Sequence, residues 1–515
     1  MQKPNKQPEW HLVILGMALT LGVVVRIMPL LMAGFPLNDG GMFYVMIQDL
    51  GGNDFRLPLF TTYNLAEIPY AYPPFGFYVA ALLSALRIPT IEILRWLPAL
   101  VNVIAIYAVY LMASAILRDR PRSALAAAFY SLTPGGYGWF IMGGGLTRAF
   151  GGLFLVLSVY FLYRVFNESR AGYHPAPRGI LFATLTCALA VLSHPEAGLH
   201  TAASCALVWI FWGRTRRGTI HALIIAAGTA LLTAPWWLSL LAGHGVGPVI
   251  SAFHTGMYSS STLAELVEDF FARGSILPIL LILRVAGLIW SLWKRQFFLA
   301  AWTILPYFVE PRSAPAVSFY PFVMLAALGL VDALPAFLRL VRRKAAEQVE
   351  TPLSENKPLN LTVLGILFYL FIESAFFTFP LVNTTLRRVD RAALAWIQAN
   401  APADARFLIL TGKIGAMTDP MQEWFPALAE RRSQTTLQGL EWTLAEGFMP
   451  RLNALDQLQT CDTAECLDDW SATTGLDFTH LLLKKKGIRE TLPASLSDAG
   501  YELIFENEGF WLYQK

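Results

Sequence analysis

Long apolar runs separated by short basic clusters constrain this chain more than any other feature of its sequence. A helix needs about 20 consecutive apolar residues to cross the hydrocarbon core of a bilayer. Only 15% of the 515 residues are charged, against about 25% in soluble domains. The runs predict about eleven transmembrane spans, at residues 12–33, 92–117, 123–141, 146–166, 179–194, 198–213, 219–241, 276–293, 296–310, 316–340 and 360–381.

The basic clusters indicate the direction in which the spans run. Cytoplasmic loops of membrane proteins carry an excess of Lys and Arg. If the N-terminus is cytoplasmic, every strong cluster between spans falls inside the cell, at residues 118–122, 164–170, 214–217, 294–295 and 342–344. We therefore expect a multi-pass protein of the plasma membrane. Its basic residues mark topology and do not indicate a nucleic-acid partner.

The apolar stretch at residues 69–88 would break this pattern if it were a span. The cluster at 118–122 and most later clusters would then face outward. We interpret the stretch as a helix at the outer interface, a depth that suits its Tyr and Phe side chains. Residues 34–91 then form one long outer loop with juxtamembrane helices.

A change in composition near Asn383 predicts a domain boundary. Residues 383–515 hold 13 Lys and Arg against 18 Asp and Glu, whereas the preceding residues hold 26 against 18. The polar part also contains strand-like runs such as RFLILTG and THLLLKK. The predicted fold class is an α-helical polytopic membrane domain, residues 1–382, followed by a soluble extracytoplasmic α/β domain, residues 383–515.

Asp39 is the first candidate for chemistry, in the run FPLNDGGMFY just after the first span. A carboxylate at the mouth of a helix bundle suits a general base that takes a proton from an acceptor hydroxyl. Gly40 and Gly41 let the backbone turn tightly and let a substrate approach. The alternative is an aspartate that only forms a turn at the helix end.

Two arginines are candidates for binding phosphate, whose oxygens the guanidinium group matches in geometry. Arg148 lies in a glycine-rich run at an outer turn. The alternative there is helix packing through the glycines, with Arg148 reaching back to the interface. Arg312 lies at a later outer turn, and its alternative is a local ion pair with Glu310.

The run SHPEAGLH brings His194, Glu196 and His200 to another outer turn. Imidazole and carboxylate groups bind divalent metals or relay protons. A polar hairpin turn is the simpler alternative. Tyr72 and Pro73, in the run AYPPFGFY, begin the interfacial helix, because proline suits the first turn of a helix.

All these candidates fall on the outer side of the membrane in this topology. A carboxylate and two arginines in one outward-facing cavity suit an anionic, lipid-linked substrate better than a cytosolic nucleotide. Cys461 and Cys466, in the run CDTAEC, are close enough to form a disulfide if their domain faces an oxidising compartment. A metal site is less favoured there, because His480 is the one histidine nearby.

The layout resembles the GT-C superfamily of integral membrane glycosyltransferases, which includes protein O-mannosyltransferases, aminoarabinose transferases and oligosaccharyltransferase subunits. The resemblance rests on Asp39 in NDGG after the first span, the PP-containing AYPPFGFY helix, the many spans and the outer C-terminal domain. The runs GGGLTRAFGG and EWFPALAERRSQTTLQGLEW are similar to those of bacterial and archaeal relatives. This chain departs from the usual pattern, since Asn38-Asp39 replaces Asp-Glu or Asp-x-Asp.

The resemblance implies a transferase that moves a sugar, with inversion, from a polyprenyl-phosphate donor to a glycan, lipid or protein acceptor. In that case Asp39 is the base, and Arg312, with Arg148, binds the donor phosphate. Tyr72, Pro73, His194 and Glu196 line the cavity, and a divalent metal (Mg²⁺ or Mn²⁺) stays open, with His194 and Glu196 as candidate ligands. The segments EWFPALAERR and GLEW contact sugar or form an ordinary amphipathic surface. Two alternatives are a flippase for a lipid-linked saccharide and a non-catalytic scaffold of the same fold.

Overall fold

A computed structural model describes residues 9–173, 175–255, 277–341, 357–487 and 491–515. Within these residues, six helices are long and apolar enough to cross a membrane, namely Trp10–Ala33, Thr90–Leu117, Gly145–Arg170, Arg216–His244, Ala314–Leu340 and Pro358–Val382. Shorter apolar helices lie between them. The first two thirds of the chain therefore form a bundle of helices, as the apolar runs predicted.

The helices of this first part are α1 Trp10–Ala33, α2 Gly41–Gly52, α3 Phe75–Ala85, α4 Thr90–Leu117, α5 Arg120–Ser131, α6 Gly145–Arg170, α7 Pro177–Ser193, α8 Pro195–Val208, α9 Arg216–His244, α10 Gly247–Thr255, α11 Ile279–Trp293, α12 Phe298–Val309, α13 Ala314–Leu328, α14 Leu334–Val341 and α15 Lys357–Val382. Five residues of π-helix, Gly329–Ala333, join α13 to α14. Apart from the span at residues 123–141, each predicted span corresponds to one of these helices, to the joined pair α13–α14, or to α8 with the π-helical turn Trp209–Gly213 that follows it.

The predicted span at residues 123–141 was wrong in its extent. Helix α5 ends at Ser131, and a short 3-10 turn, Pro134–Gly136, follows it. Proline lacks the backbone N–H that the helix would need, and the two glycines after it favour a turn. The chain then runs irregularly to Gly145, and this irregular segment borders the candidate site described below.

The segment between α1 and α4 contains only short helices. Helix α3 has 11 residues, which corresponds to a length of about 16 Å, half of the bilayer core. A small hairpin of β1 (Phe60–Thr61) and β2 (Ile68–Pro69) precedes it. The short helix follows Pro74 directly, as the paired prolines predicted.

One buried arginine ties the first spans together. Arg26 of α1 is fully buried, and its Nε donates to the Asn102 side chain of α4 at 2.6 Å. Its Nη1 donates to the carbonyl groups of Gly22 and Ser131. The guanidinium also lies over the Tyr137 ring, 5.0 Å from the ring centroid. A charge inside the bundle is tolerated because these groups replace its hydration.

The C-terminal part is an α/β domain with one mixed sheet. Its helices are α16 Arg388–Asn400, α17 Pro420–Ala429, α18 Phe448–Leu458, α19 Ala464–Thr474 and α20 Thr491–Asp498. Its strands are β3 Arg406–Leu410, β4 Arg432–Ser433, β5 His480–Lys484, β6 Glu502–Glu506 and β7 Phe510–Gln514. They lie in the order β4-β3-β5-β7-β6, with β3 parallel to both neighbours and β7 antiparallel to both of its own. Cys461 and Cys466 form a disulfide just before and within α19.

Candidate active site

The loop that carries Asp39 lies between the helix bundle and the C-terminal domain. The N–H of Gly40 donates to Oε1 of Glu423 in α17 at 2.8 Å. The indole N–H of Trp424 donates to the carbonyl of Asn38 at 2.9 Å. The C-terminal domain therefore fixes the backbone on both sides of Asp39.

Glycines make this close approach possible. A Cβ on Gly41 would lie 2.4 Å from the carbonyl oxygen of Glu423, and one on Gly143 would lie 1.9 Å from that of Asp39. Gly40 has φ of 120°, a conformation that other residues rarely adopt. The glycines after Asp39 and before Arg148 thus serve contact between backbones in the folded chain.

Asp39 is bonded to Arg148. Its Oδ2 accepts from the Arg148 guanidinium at 2.8 Å, and its Oδ1 accepts from the N–H of Gly144 at 2.8 Å. The guanidinium also lies over the Trp139 ring, 3.9 Å from the ring centroid. The two charged side chains are only 12% and 17% exposed. Arg148 therefore points into the protein and does not reach back to the lipid interface.

A cavity of about 440 Å³ opens beside this pair. The polar side chains in its walls are Arg148, His194, Glu196, Glu310, Arg312 and Glu441, and the aromatic ones include Tyr72, Trp139, Trp236 and Trp442. The structure thus brings Tyr72, Arg148, His194, Glu196 and Arg312 to one place.

Three of the candidate residues, Asp39, Pro73 and His200, are not among those that line this cavity. His200 is buried, and its Nε2 lies 3.0 Å from the Ser313 hydroxyl. Asp39 lies behind Arg148, with its carboxylate turned toward that guanidinium. Pro73, which precedes α3, is buried, and it is not among the residues that line this cavity. Tyr72, its neighbour, does line the cavity.

Arg312 is not held by the local pair considered from the sequence. Glu310 accepts from the backbone N–H of Arg312 at 2.9 Å and from the N–H and hydroxyl groups of Ser313. The Arg312 side chain lies nearest to Glu196 instead, with Nε 3.9 Å from Oε1. It is 46% exposed, so its guanidinium is accessible from the cavity.

Comparison with known proteins finds one matching sequence family and several structures of similar fold. A sequence profile described as dolichyl-phosphate-mannose-protein mannosyltransferase matches residues 71–238. ArnT from Cupriavidus metallidurans, solved with undecaprenyl phosphate, is 14% identical, with a TM-score of 0.54 over 98% of this chain and 97% of that one. No curated protein sequence matches this chain.

The archaeal oligosaccharyltransferase AglB from Archaeoglobus fulgidus also has a similar fold. Its complex with an inhibitory peptide and a dolichol-phosphate is 13% identical, with a TM-score of 0.54 over 92% of this chain and 69% of that one. The form tethered to an acceptor peptide gives a TM-score of 0.57 at 14% identity, over 93% and 69%. The chain therefore has the fold of these GT-C glycosyltransferases. The expected fold class is confirmed, and the profile match agrees with the expected class of enzyme, a membrane glycosyltransferase.

The described residues around this cavity do not fit a metal centre. Among the described residues, no three His, Cys, Asp or Glu side chains are arranged to hold a metal ion. His194 Nδ1 and Glu196 Oε2 are 4.0 Å apart and lie next to the cation of Arg312. Asp39 already has the Arg148 cation at bonding distance. We therefore derive the mechanism without a metal.

Two carboxylates from the C-terminal domain were missed as site residues. Glu423 contacts the Asp39 loop, and Glu441 lines the cavity. Both lie in segments singled out in the sequence, EWFPALAERR and GLEW. Their pattern indicated a contact with ligand or solvent, but it contained no signal that Glu423 would face Asp39 across more than 380 residues of chain.

The buried Glu423 makes the stability of the protein depend on pH. Burial raises the pKa of Glu423 to about 8, and the negative charge of Asp39 acts in the same direction. The N–H of Gly40 and the charge of Arg148 act against the increase. Such a carboxyl binds its proton more tightly in the folded protein than in the unfolded chain. Its stabilising effect is present below about pH 4 and is lost as the pH rises to about 8.

We expect Glu423→Gln to remove this part of the pH dependence. Glutamine keeps an oxygen that accepts from Gly40 and carries no titrating proton. The melting temperature of the purified protein should fall less between pH 5 and pH 8 in the variant than in the wild type. Glu446→Gln, on the exposed surface of the same domain, is the control. Equal pH dependence in all three proteins would contradict the assignment.

Proposed function

We propose that the chain transfers a sugar from a polyprenyl-phosphate donor to an acceptor at the outer face of the membrane. The observation that carries this proposal is the single cavity that holds Arg148, Arg312, His194 and Glu196 beside Asp39. ArnT and AglB, whose folds are similar to that of this chain, were solved with undecaprenyl phosphate and with a dolichol-phosphate. The two arginines of the cavity suit the phosphate of such a donor. The helix bundle beside the cavity suits its polyprenyl chain.

The orientation belongs to the same proposal. The N-terminus lies in the cytoplasm, and the C-terminal domain lies on the extracytoplasmic side of the plasma membrane. The positive clusters between the spans support this orientation. The acceptor is a protein, a glycolipid or a glycan, and it enters between the C-terminal domain and the bundle.

The phosphate of the donor binds Arg312. It also binds the Arg148 guanidinium, which then separates from Asp39. In the free protein, Asp39 Oδ2 accepts from Arg148 at 2.8 Å, so the carboxylate has no free path to a substrate. A phosphate group competes for the guanidinium, because its oxygens match the same donors. Donor binding would thus release Asp39 Oδ2 toward the acceptor.

Asp39 then takes the proton of the acceptor hydroxyl. The hydroxyl oxygen forms a bond to the anomeric carbon, and the bond from that carbon to the phosphate oxygen breaks. A single displacement inverts the anomeric centre. The leaving polyprenyl phosphate carries the electron pair, and the two arginines stabilise its growing negative charge. The Gly144 N–H holds Asp39 Oδ1 throughout.

The donor site is tested by Arg312→Ala. We expect the Kd for undecaprenyl phosphate to rise by about 10- to 100-fold, because one charge-assisted hydrogen-bond pair is lost. The binding is measured on the purified full chain in detergent micelles. Arg56→Ala is the control, since Arg56 lies on the surface of the loop between α2 and α3. An unchanged Kd in Arg312→Ala would contradict the phosphate site.

A further inference from the structure

The segment Gly439–Trp442 brings the C-terminal domain into the cavity. Residues Leu440–Trp442 form a 3-10 turn, and both Glu441 and Trp442 line the cavity wall. Gly439 has φ of 89°, and a Cβ there would lie 2.6 Å from the Ile68 side chain. A glycine at this position therefore allows the turn to pack against the loop of the membrane domain.

Hydrogen bonds hold this turn in place. The hydroxyl of Ser251, in α10, donates to the carbonyl of Glu441 at 2.8 Å, and it accepts from the N–H of Ala445 at 2.8 Å. The carboxylate of Glu441 accepts from the N–H of Gly439 at 2.7 Å. A carboxylate has about four acceptor positions, so Glu441 keeps capacity for a ligand.

The indole N–H of Trp442 lacks a partner among the described residues. Trp442 is only 8% exposed, and its ring packs edge-on against Tyr72, with 5.4 Å between ring centroids. Trp236, from α9, also lines the cavity and has a buried indole N–H without a partner in the described chain. Buried donors are normally paired, because an unpaired one loses its bond to water. Two such donors in one cavity indicate a ligand that supplies acceptors.

A sugar ring has the chemistry that these groups require. Its hydroxyl groups donate to a carboxylate and accept from an indole N–H, and its C–H faces pack against aromatic rings. A phosphate does not suit Glu441, because two negative groups repel each other. We propose that Glu441 and Trp442 bind the hydroxyl groups of a pyranose ring in this cavity, next to the phosphate site at Arg312. This assignment rests on the proposed glycosyl transfer and defines which residues select the sugar.

The test measures binding of sugars that carry no lipid. A panel of methyl glucosides, mannosides, galactosides and arabinosides is added to the full chain in micelles, and binding is followed by saturation-transfer NMR. We expect at least one of them to bind the wild type. Trp442→Phe keeps the ring and removes the N–H, and it should weaken binding by about 5-fold. Glu441→Gln removes the charge and should weaken it by about 10-fold or more.

Matched controls separate this effect from a general loss of structure. Trp396→Phe, on the far helix α16, and Glu446→Gln, on the surface, should leave sugar binding unchanged. Each variant must keep the melting temperature of the wild type within a few degrees. Absence of binding to every glycoside, or equal binding by Glu441→Gln, Trp442→Phe and the wild type, would overturn the assignment.

The source of the sugar is decided by transfer assays with Glu441→Gln. A raised KM for the polyprenyl-phosphate sugar assigns the ring to the donor, and a raised KM for the acceptor assigns it to the acceptor. Binding of undecaprenyl phosphate should not weaken in either variant, because neither substitution removes an arginine and Glu441→Gln removes a negative charge. If the wild type binds undecaprenyl phosphate and no glycoside, the sugar site fails alone. If it binds glycosides and no undecaprenyl phosphate, the proposed donor fails alone.

Discussion

Asp39→Asn is expected to lower kcat for sugar transfer by about 10²- to 10⁴-fold, the usual contribution of a general base. Asparagine keeps an oxygen for the Gly144 N–H, so the loop should keep its position. It cannot accept a proton from the acceptor hydroxyl at neutral pH. The substitution also removes the ion pair with Arg148. Arg148 should then bind the donor phosphate at least as well as in the wild type. We therefore expect a large fall in kcat with no increase in the Kd for undecaprenyl phosphate.

The control for this variant lies in the same loop. Asp54→Asn changes an exposed aspartate whose backbone has φ of 52°, a conformation that asparagine tolerates. It should transfer sugar at the wild-type rate. Full activity in a folded Asp39→Asn protein would exclude Asp39 as the base. The base would then be one of the carboxylates that line the cavity, Glu196, Glu310 or Glu441.

Gly41→Ala should have the second large effect, because it separates the C-terminal domain from the Asp39 loop. The new Cβ would lie 2.4 Å from the carbonyl oxygen of Glu423 and 3.0 Å from the Cα of Trp424. Both are backbone atoms, so no side-chain rotation relieves the contact. Overpacking of this kind costs about 1–3 kcal/mol of folding free energy. A shift of about 1 Å at a catalytic group also lowers activity by about 100-fold.

Thermal unfolding and limited proteolysis between the two domains measure this effect. Gly51→Ala is a matched control, because Gly51 belongs to the same helix and a Cβ there meets no atom within 4 Å. Alanine inside a helix should stabilise it by about 0.5–1 kcal/mol relative to glycine. A lower melting temperature and faster cleavage are expected in Gly41→Ala only. Equal behaviour of the two variants would show that the backbone contact at Gly41 does not hold the domains together.

The sequence motifs identified individual residues of the site but not the contacts between them. Asp39 and Arg148 were both selected as candidates, one as a base and one as a phosphate ligand. Their ion pair was not anticipated, since 109 residues separate them and neither run contains a signal for the other. In the mechanism that we propose, the pair matters because Asp39 becomes available as a base when a substrate competes for Arg148.

The sequence by itself determined the helical bundle and the α/β domain. Whether a segment forms an apolar helix is decided within about 20 residues, because each helix satisfies its backbone hydrogen bonds internally. The strands of the C-terminal domain follow from their own apolar runs in the same way. The sequence also predicted a helix that does not span the membrane near Phe75–Ala85. A span there would place the later basic clusters on the outer side of the membrane, against the usual excess of Lys and Arg in cytoplasmic loops.

Only the tertiary structure decided the composition of the site. Glu423 and Glu441 reach the membrane domain because α17 and the turn at Leu440–Trp442 pack on loops far away in the sequence. Tyr72 lines the cavity, whereas its neighbour Pro73 is buried and is not part of the lining. Such contacts depend on the packing of whole domains, in which a single methyl group at Gly41 or Gly143 would prevent the approach. Local sequence patterns contain no information at that distance.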